Sequence, residues 1–217
     1  MALIAERKGI WDFWAPRYDK LLTQKFVMKP TRDLVISHLK EACPEAGFIL
    51  DMGCGTGQLA RQVAECFPNA EITAADYSKG MIETASGKNH APNLTYLLGS
   101  LEELPPSACY DVILSTHAFP YFPDKLGAAK KMASLLKPEG RLLIVQGNCN
   151  NLYDALWLFF VHLTVSRARF LSVTKLARVV TEAGFRKGVI RRIKPVWWIP
   201  SIYMVEGIRI VKSDIPT

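Results

Sequence analysis

The residues best placed to do chemistry are Asp51-Met52-Gly53-Cys54-Gly55-Thr56-Gly57, which follow the apolar pair Ile49-Leu50, together with Asp76 at the end of the next apolar run. A buried strand that enters a glycine-dense turn, then a helix start, then an acid about 20 residues further on is the arrangement of a nucleoside-binding site. Gly53, Gly55 and Gly57 lack Cβ atoms, so the turn is free to take positive φ and its amides can approach a ligand closely. Their Gly-x-Gly-x-Gly spacing is one residue tighter than the pattern that holds a dinucleotide pyrophosphate, and it points to a smaller anionic group such as an amino-acid carboxylate. Asp76 suits a ribose, whose two hydroxyls would donate charge-assisted hydrogen bonds to its carboxylate. A glycine turn is also used for structure alone. Strand, turn, helix, strand and terminal Asp in register favour the ligand site.

Several further blocks fall in order along the chain: Trp14-Ala15-Pro16-Arg17-Tyr18-Asp19, Ala74-Ala75-Asp76-Tyr77-Ser78-Lys79-Gly80-Met81, Gly99-Ser100-Leu101-Glu102-Glu103-Leu104-Pro105, Asp111-Val112-Ile113-Leu114-Ser115, Leu135-Leu136-Lys137-Pro138-Glu139-Gly140-Arg141-Leu142 and Glu206-Gly207. With Ile49 to Gly57 they resemble the class I S-adenosylmethionine-dependent methyltransferases, in particular the small-molecule branch with the ubiquinone and menaquinone C-methyltransferases. The resemblance covers most of the chain.

It implies S-adenosylmethionine as cofactor. Asp51, Gly53, Gly55 and Gly57 would cradle the methionine part, Asp76 would hold the ribose, Tyr77 and Met81 would pack on the adenine, and Ser100 and Leu101 would line its edge. Relatives often have an acid near Ser100, where this chain offers a hydroxyl. Tyr18, in the stretch that resembles the family's N-terminal lid, and Ser115, at the end of the fourth strand, would complete the cofactor side. The implied reaction is direct displacement at the sulfonium methyl, which asks the protein mainly to align the acceptor and exclude water. Where the acceptor loses a proton, His117 and Tyr121 are the candidate catalytic residues, with His162 behind them. Relatives often carry histidine where this chain has Pro120-Tyr121, so no base transfers from the family. His117 follows the carboxyl end of a strand, where ligand-facing groups of an open α/β sheet gather, although a lone histidine is also commonly structural.

The elements that must position these residues alternate between strand and helix from Phe48 onward. Strands are expected at 47–51, 70–75, 94–98, 110–115, 141–146, 186–194 and 201–211, and helices at 57–67, 78–86, 124–136, 151–165 and 172–183. The resemblance implies an α/β, Rossmann-like, seven-stranded and mostly parallel sheet ordered 3-2-1-4-5-7-6. Its last strand is antiparallel, and helices lie on both faces. With 217 residues and 49% hydrophobic content, the chain is expected to be one globular domain. The resemblance implies a single methyltransferase domain, 1–217, with residues 1–40 as a helical lid and 151–170 as a substrate-covering insertion. Trp14 and Tyr18 either face the cofactor or substrate or simply pack in the core.

Five cysteines without Cys-x-x-Cys spacing argue against a disulfide framework and a structural zinc, so no metal is expected. The N-terminus has no apolar stretch long enough for a secretory signal, so the expected location is the cytoplasm or the periphery of a membrane. The charge is +7, and Arg167, Arg169, Lys175, Arg178, Arg186, Lys187, Arg191, Arg192 and Lys194 face only Glu182 within their own span. That tract is either a solvated basic face or a surface for anionic lipid or phosphate. It follows Leu152 to Val165, which is too short to span a bilayer but more apolar than a surface helix needs. A small, largely apolar acceptor, quinone-like or aromatic, is the leading expectation. A phospholipid headgroup amine methylated at the membrane surface is the second, and a non-catalytic S-adenosylmethionine-binding protein the third. Nucleic acid is not expected as a partner, because the Asp/Asn-Pro-Pro-Tyr/Phe motif and any added RNA-binding module are missing.

Overall fold

A computed structural model of the chain describes residues 2–104, 107, 109–165, 168–193 and 199–210. Seven strands form one sheet in the order β3-β2-β1-β4-β5-β7-β6. They are β1 Phe48–Met52, β2 Glu71–Asp76, β3 Leu94–Leu98, β4 Tyr110–Thr116, β5 Leu136–Gly147, β6 Phe185–Ile193 and β7 Ile202–Arg209. β2 runs parallel to β1 and β3, and β4 parallel to β5, whereas β7 runs antiparallel to both β5 and β6. The expected order and the antiparallel last strand are those observed. Contacts along the chain cluster into two compact units, Met1–Leu104 and Pro105–Thr217.

In the first unit, α1 (Ala2–Tyr18), a short π-helix (Gln24–Met28) and α2 (Lys29–Ala42) precede the alternating elements, followed by α3 (Gln58–Cys66) and α4 (Lys79–Lys88). Pro30 sits in the first turn of α2, where its missing N–H costs nothing. Ile49, Leu50, Ala74 and Ala75 are fully buried, as strands covered on both faces require. Ser78 caps α4 by accepting from Met81 N at 3.2 Å. Asn93 Nδ2 donates to Phe67 O and Ala70 O at 3.0 and 2.7 Å and so ties the end of α3 to the approach to β3.

The second unit carries α5 (Lys125–Leu135), α6 (Leu152–Val165) and α7 (Val173–Glu182). Asp124 caps α5 through Gly127 N at 2.9 Å. Its core is hydrocarbon from β4, β5 and β7, with Ile113, Leu114, Leu142, Leu143, Ile144, Val145 and Met204 fully buried. β5 begins at Leu136, five residues earlier than the sequence suggested, because Lys137-Pro138-Glu139-Gly140 is absorbed as an irregularity in its pairing with β4. Glu139 takes φ 59 there. One ion pair pins the β6–β7 hairpin. Glu206, buried on β7, accepts from Arg141 Nη1 at 2.6 Å and from Val189 N at 2.9 Å. The register shift between Lys187 and Ile190 falls at this point, and Gly188 is required because a Cβ there would run into the Glu206 carboxylate. A buried carboxylate shared between a guanidinium and a backbone amide fixes a bulge that hydrophobic pattern alone leaves unspecified.

Candidate functional site

In the first unit the carboxyl ends of β1 and β2 are stitched together by the glycine turn. Gly53 N and Cys54 N both donate to Ala75 O, at 2.8 and 3.0 Å, and Gly55 N donates to Asp76 Oδ2 at 2.9 Å. Gly53, Gly55 and Gly57 all take positive φ, at 78°, 55° and 78°. The three positions do different work. A Cβ on Gly55 would meet nothing within 4 Å, so this glycine borders open space. A Cβ on Gly57 would drive into the Tyr96 phenol ring, 2.9 Å from its Cε1, so that glycine makes room for β3 packing as well as for the turn. The turn then opens α3 with no side-chain cap, which leaves the first amides of the helix without a local partner.

Two acids stand at this turn. Asp51, 1% exposed at the end of β1, has no hydrogen-bond partner for either carboxylate oxygen among the described residues. Burial, and then the charge of Asp76, push its carboxyl up to about 7. Asp76 accepts from Gly55 N and from Ser78 N, each at 2.9 Å. Burial raises its carboxyl too, opposed by those backbone donors. The Cys54 thiol, desolvated beside both acids, is raised well above its ordinary range, so it is an inert thiol at neutral pH. Acids crowded in low dielectric without a cation form a site that a positively charged ligand would relieve.

α1 is tied to this turn by two carboxylates that the sequence reading did not single out. Asp12 Oδ1 accepts from Ser78 Oγ at 2.6 Å and from Gly80 N at 2.8 Å, on the first turn of α4. A Cβ on Gly80 would stand 2.9 Å from the Asp12 Cα, so that glycine lets the two backbones close together. Asp19 Oδ1 accepts from Thr56 Oγ1 and Gln58 Nε2, both at 2.6 Å, at the start of α3. The available signal was the seven-residue interval between Asp12 on α1 and Asp19 just past its end. Tyr18 lies close enough to Asp76 and Asp19 that their charges, after burial, raise its phenol to about 12. Its ring packs edge-on against Trp11 at 6.2 Å, and its hydroxyl reaches Met28 Sδ at 4.0 Å. Tyr18 therefore stands at the candidate site, while Trp14 pairs with Phe13 at 5.6 Å.

Met81 is buried in α4 directly after the Ser78 cap, and Tyr77 joins Asp76 to that cap. Ser100 and Glu103 form a reciprocal cap on the short helical turn Leu101–Glu103, with Ser100 N donating to Glu103 Oε2 at 2.6 Å. Leu101 is buried. Ser100 thus helps shape its loop through its own side chain.

In the second unit, Ser115 is fully buried at the end of β4, and its Oγ has no hydrogen-bond partner among the described residues. His117 follows two residues later with φ 57, in the left-handed region, and its N donates to Val145 O at 2.6 Å. A non-glycine residue at positive φ just past a strand end marks a constrained position. Burial lowers its imidazole to about 4, so it is neutral at pH 7. Tyr121 closes the short helical turn Phe119–Tyr121, which Lys125 Nζ clamps by donating to Pro120 O and Phe122 O, both at 2.7 Å. The side chain of His162 lies outside the described residues. Among those residues no group of His, Cys, Asp or Glu is disposed to hold a metal ion.

Residues 49–140 match the family described as Methyltransferase domain. That span holds the glycine turn, both buried acids, Ser115, His117 and Tyr121. Over this span the chain is similar to a methyltransferase domain.

Among curated relatives, the malonyl-[acyl-carrier protein] O-methyltransferase of Priestia megaterium is 42% identical over 95 residues, which is 44% of this chain and 35% of that protein. The chain spans less than two thirds of the length of the relatives it matches. Among solved structures, a chain of the Haloferax volcanii complex containing the Trm112 methyltransferase activator superposes with TM-score 0.77 at 18% identity, covering 93% of this chain and 98% of that one. Magnesium protoporphyrin IX methyltransferase of Synechocystis PCC 6803, solved with bound S-adenosylhomocysteine, gives TM-score 0.70 at 18% identity, over 87% and 88% of the two chains. At these identities the structural likeness establishes the fold.

The residues at the glycine turn fit S-adenosylmethionine on their own chemistry. The buried Asp51 carboxylate has no hydrogen-bond partner among the described residues, Gly55 borders open space, and Asp76 is held rigidly by two amides with lone pairs to spare. The finer resemblance to the ubiquinone and menaquinone enzymes gains no support from the relatives above, which are named for methylation of malonyl-[acyl-carrier protein], and the span of the family match leaves out α1 and α6.

Proposed function

We propose that this chain is an S-adenosylmethionine-dependent methyltransferase acting on a small, largely apolar acceptor, with a quinone-like or aromatic ring first in line. The observation that carries the cofactor half is the pair of buried acids at the glycine turn, Asp51 without a partner and Asp76 held by Gly55 and Ser78. When bound, the cofactor supplies a methyl group already activated on a sulfonium.

Asp76 would hold the ribose hydroxyls, and its orientation is fixed in advance by the Gly55 and Ser78 amides. Gly53, Gly55 and Gly57 would offer backbone N–H groups to the methionine carboxylate, while Asp51 would meet the ammonium, so opposite charges of one ligand find opposite partners. Met81, Tyr77 and Leu101 would pack on the adenine, and Ser100 would line its edge. Tyr18 on α1 would cover the site and exclude water, with Asp12 and Asp19 holding that helix in place. Ser115, whose buried hydroxyl has no hydrogen-bond partner among the described residues, would serve the cofactor side, and His117 would offer the acceptor a neutral imidazole. His117, depressed by burial, is a hydrogen-bond acceptor for an acidic acceptor O–H or C–H more than a strong base. Tyr121 would stand with it as an orienting hydroxyl.

A second reading, transfer to a carboxylate on an acidic carrier protein, is favoured by one observation, the exposed cations Arg169, Lys175 and Arg192. Phospholipid headgroup methylation draws on the same cations. Titrating S-adenosylmethionine into wild type and Asp76→Ala tests the cofactor half, and binding that survives unchanged in the variant would end it. Incubation with labelled cofactor and a metabolite-plus-lipid extract, followed by identification of the labelled product, separates ring, carboxylate and lipid acceptors.

A further inference from the structure

α6 presents hydrocarbon to solvent. Leu152, Leu156, Phe159 and Phe160 are 86%, 57%, 54% and 55% exposed. At about 100° per residue they fall within an arc of about 100° and along about 12 Å of helix axis. The helix is not free to roll this face inward. On its other side Asp154, 1% exposed, accepts from Asn150 N at 3.1 Å and from Ser201 N at 2.8 Å. Leu158, buried, packs where a Cβ on Gly147 would meet it at 3.0 Å. The outward face is thus set by a buried polar anchor.

Cations gather at the same end of this unit. Cys149 N and Asn148 Nδ2 donate to Leu171 O, at 3.2 and 3.1 Å, and Val173 N donates to Asn150 Oδ1 at 2.9 Å. These bonds bring residues 169–175, with exposed Arg169 and Lys175, alongside the start of α6. Arg192, also exposed, lies over the Tyr203 ring at 6.0 Å, next to Ile202, which pairs with the last residue of β5. From residue 142 to 205 the only acids are Asp154 and Glu182. The first is buried and the second is bonded to Arg178 at 2.8 Å.

We propose that this face docks on an anionic lipid bilayer, with α6 lying in the plane of the interface. Leu152, Leu156, Phe159 and Phe160 would enter the acyl boundary, and Arg169, Lys175 and Arg192 would meet lipid phosphates. A helix of 14 residues is too short to cross a bilayer, which takes roughly 20, but suits the interface. Charge complementarity selects the occupant. The cations flank hydrocarbon edged by Tyr153, whose hydroxyl accepts from Trp157 Nε1 at 3.0 Å and suits the headgroup level, and a bilayer supplies acyl chains and phosphate together. Through this contact an apolar acceptor would be collected from the membrane, a consequence that rests on the proposed function; the docking itself does not.

The test is co-sedimentation of the full chain with vesicles of phosphatidylcholine alone or mixed with phosphatidylglycerol. Binding is expected on the anionic vesicles, at least about tenfold stronger than on neutral ones and weakened by salt. Phe159→Ser with Phe160→Ser should lower it at least about tenfold with the melting curve preserved. Arg169→Gln with Lys175→Gln should lower binding to anionic vesicles only. Protein that stays in the supernatant with both vesicle types overturns the proposal, as does equal pelleting of the phenylalanine variant. A wild type that ignores vesicles but dimerises through these phenylalanines, or captures an acidic carrier protein through these cations, overturns it in favour of that partner. S-adenosylmethionine titration of the same preparations reads the methyltransferase proposal separately, so either can fail alone.

Discussion

The Thr56 hydroxyl donates to the Asp19 carboxylate at 2.6 Å, and so joins the residue after α1 to the turn that opens α3. Gln58 donates to the same oxygen at 2.6 Å, and Lys88 Nζ stands 3.8 Å from the other. One carboxylate thereby binds the N-terminal segment to the glycine turn. Asp19→Ala should remove about 1–3 kcal/mol of stability and weaken S-adenosylmethionine binding, because the cover over the turn loses its anchor. Thermal unfolding and calorimetric titration check both. Asp12→Ala should act in the same direction through Ser78 and Gly80. Cofactor affinity that is unaltered in the double variant would show that α1 is no cover.

Asp51 makes cofactor binding depend on pH. Its folded carboxyl stands near 7 against an ordinary 3.8, so the stability it contributes is full below 3.8 and lost as pH rises through 7. A cationic ligand favours the ionised form and expels the proton. Affinity for S-adenosylmethionine should therefore rise with pH up to about 7, by at most about tenfold per unit, and flatten above. Calorimetry in two buffers of different ionisation enthalpy reads the released proton directly. Asp51→Asn should abolish that release.

His117 has the opposite sign. Its folded imidazole stands near 4 against 6.5, so the unfolded chain takes up the proton first and stability falls as pH drops from 6.5 to 4. The loss should be on the order of 1–3 kcal/mol, and His117→Asn, which tolerates positive φ, should remove that pH dependence. If His117 meets the acceptor, the rate profile of the wild type should show no inflection near 6.5. Denaturant titrations at several pH values and initial rates measure the two effects.

Gly57→Ala should cost roughly 2–5 kcal/mol, since the residue sits at φ 78 and the added methyl collides with the Tyr96 ring. Tyr96→Ala in the same chain should recover the packing part of that loss and leave the backbone part. Gly55→Ala has open space around its Cβ, so its structural penalty should be the smaller, yet cofactor binding should suffer, because the methyl would fill the cradle. Melting temperatures and titrations of the single and double variants separate these terms.

Much of the candidate site was legible in the chain. The glycine turn and Asp76 announced themselves because positive φ and a strand-terminal acid leave few alternative residue types. The period of the strands located the sheet elements to within a few residues. β5 was the exception, because Pro138 and Gly140 read as a turn and are in fact carried inside the strand. Asp12 and Asp19 were overlooked because acids on or just past a helix ordinarily mean solvent, and only their partners Ser78, Gly80, Thr56 and Gln58, far off in sequence, give them a purpose.

By itself the sequence determined the order of elements, the turn at Gly53 to Gly57 and the acid that answers it at Asp76. These depend on local sterics and on periodicity, which neighbouring residues dictate. Tertiary structure decided that Asp51 is buried with no hydrogen-bond partner among the described residues, that Gly57 is demanded by Tyr96, that His117 sits at positive φ, and that α6 turns four large hydrocarbons outward around a buried Asp154. Each of those depends on which distant groups share a low-dielectric neighbourhood, and burial is a property of the packed chain rather than of any window along it.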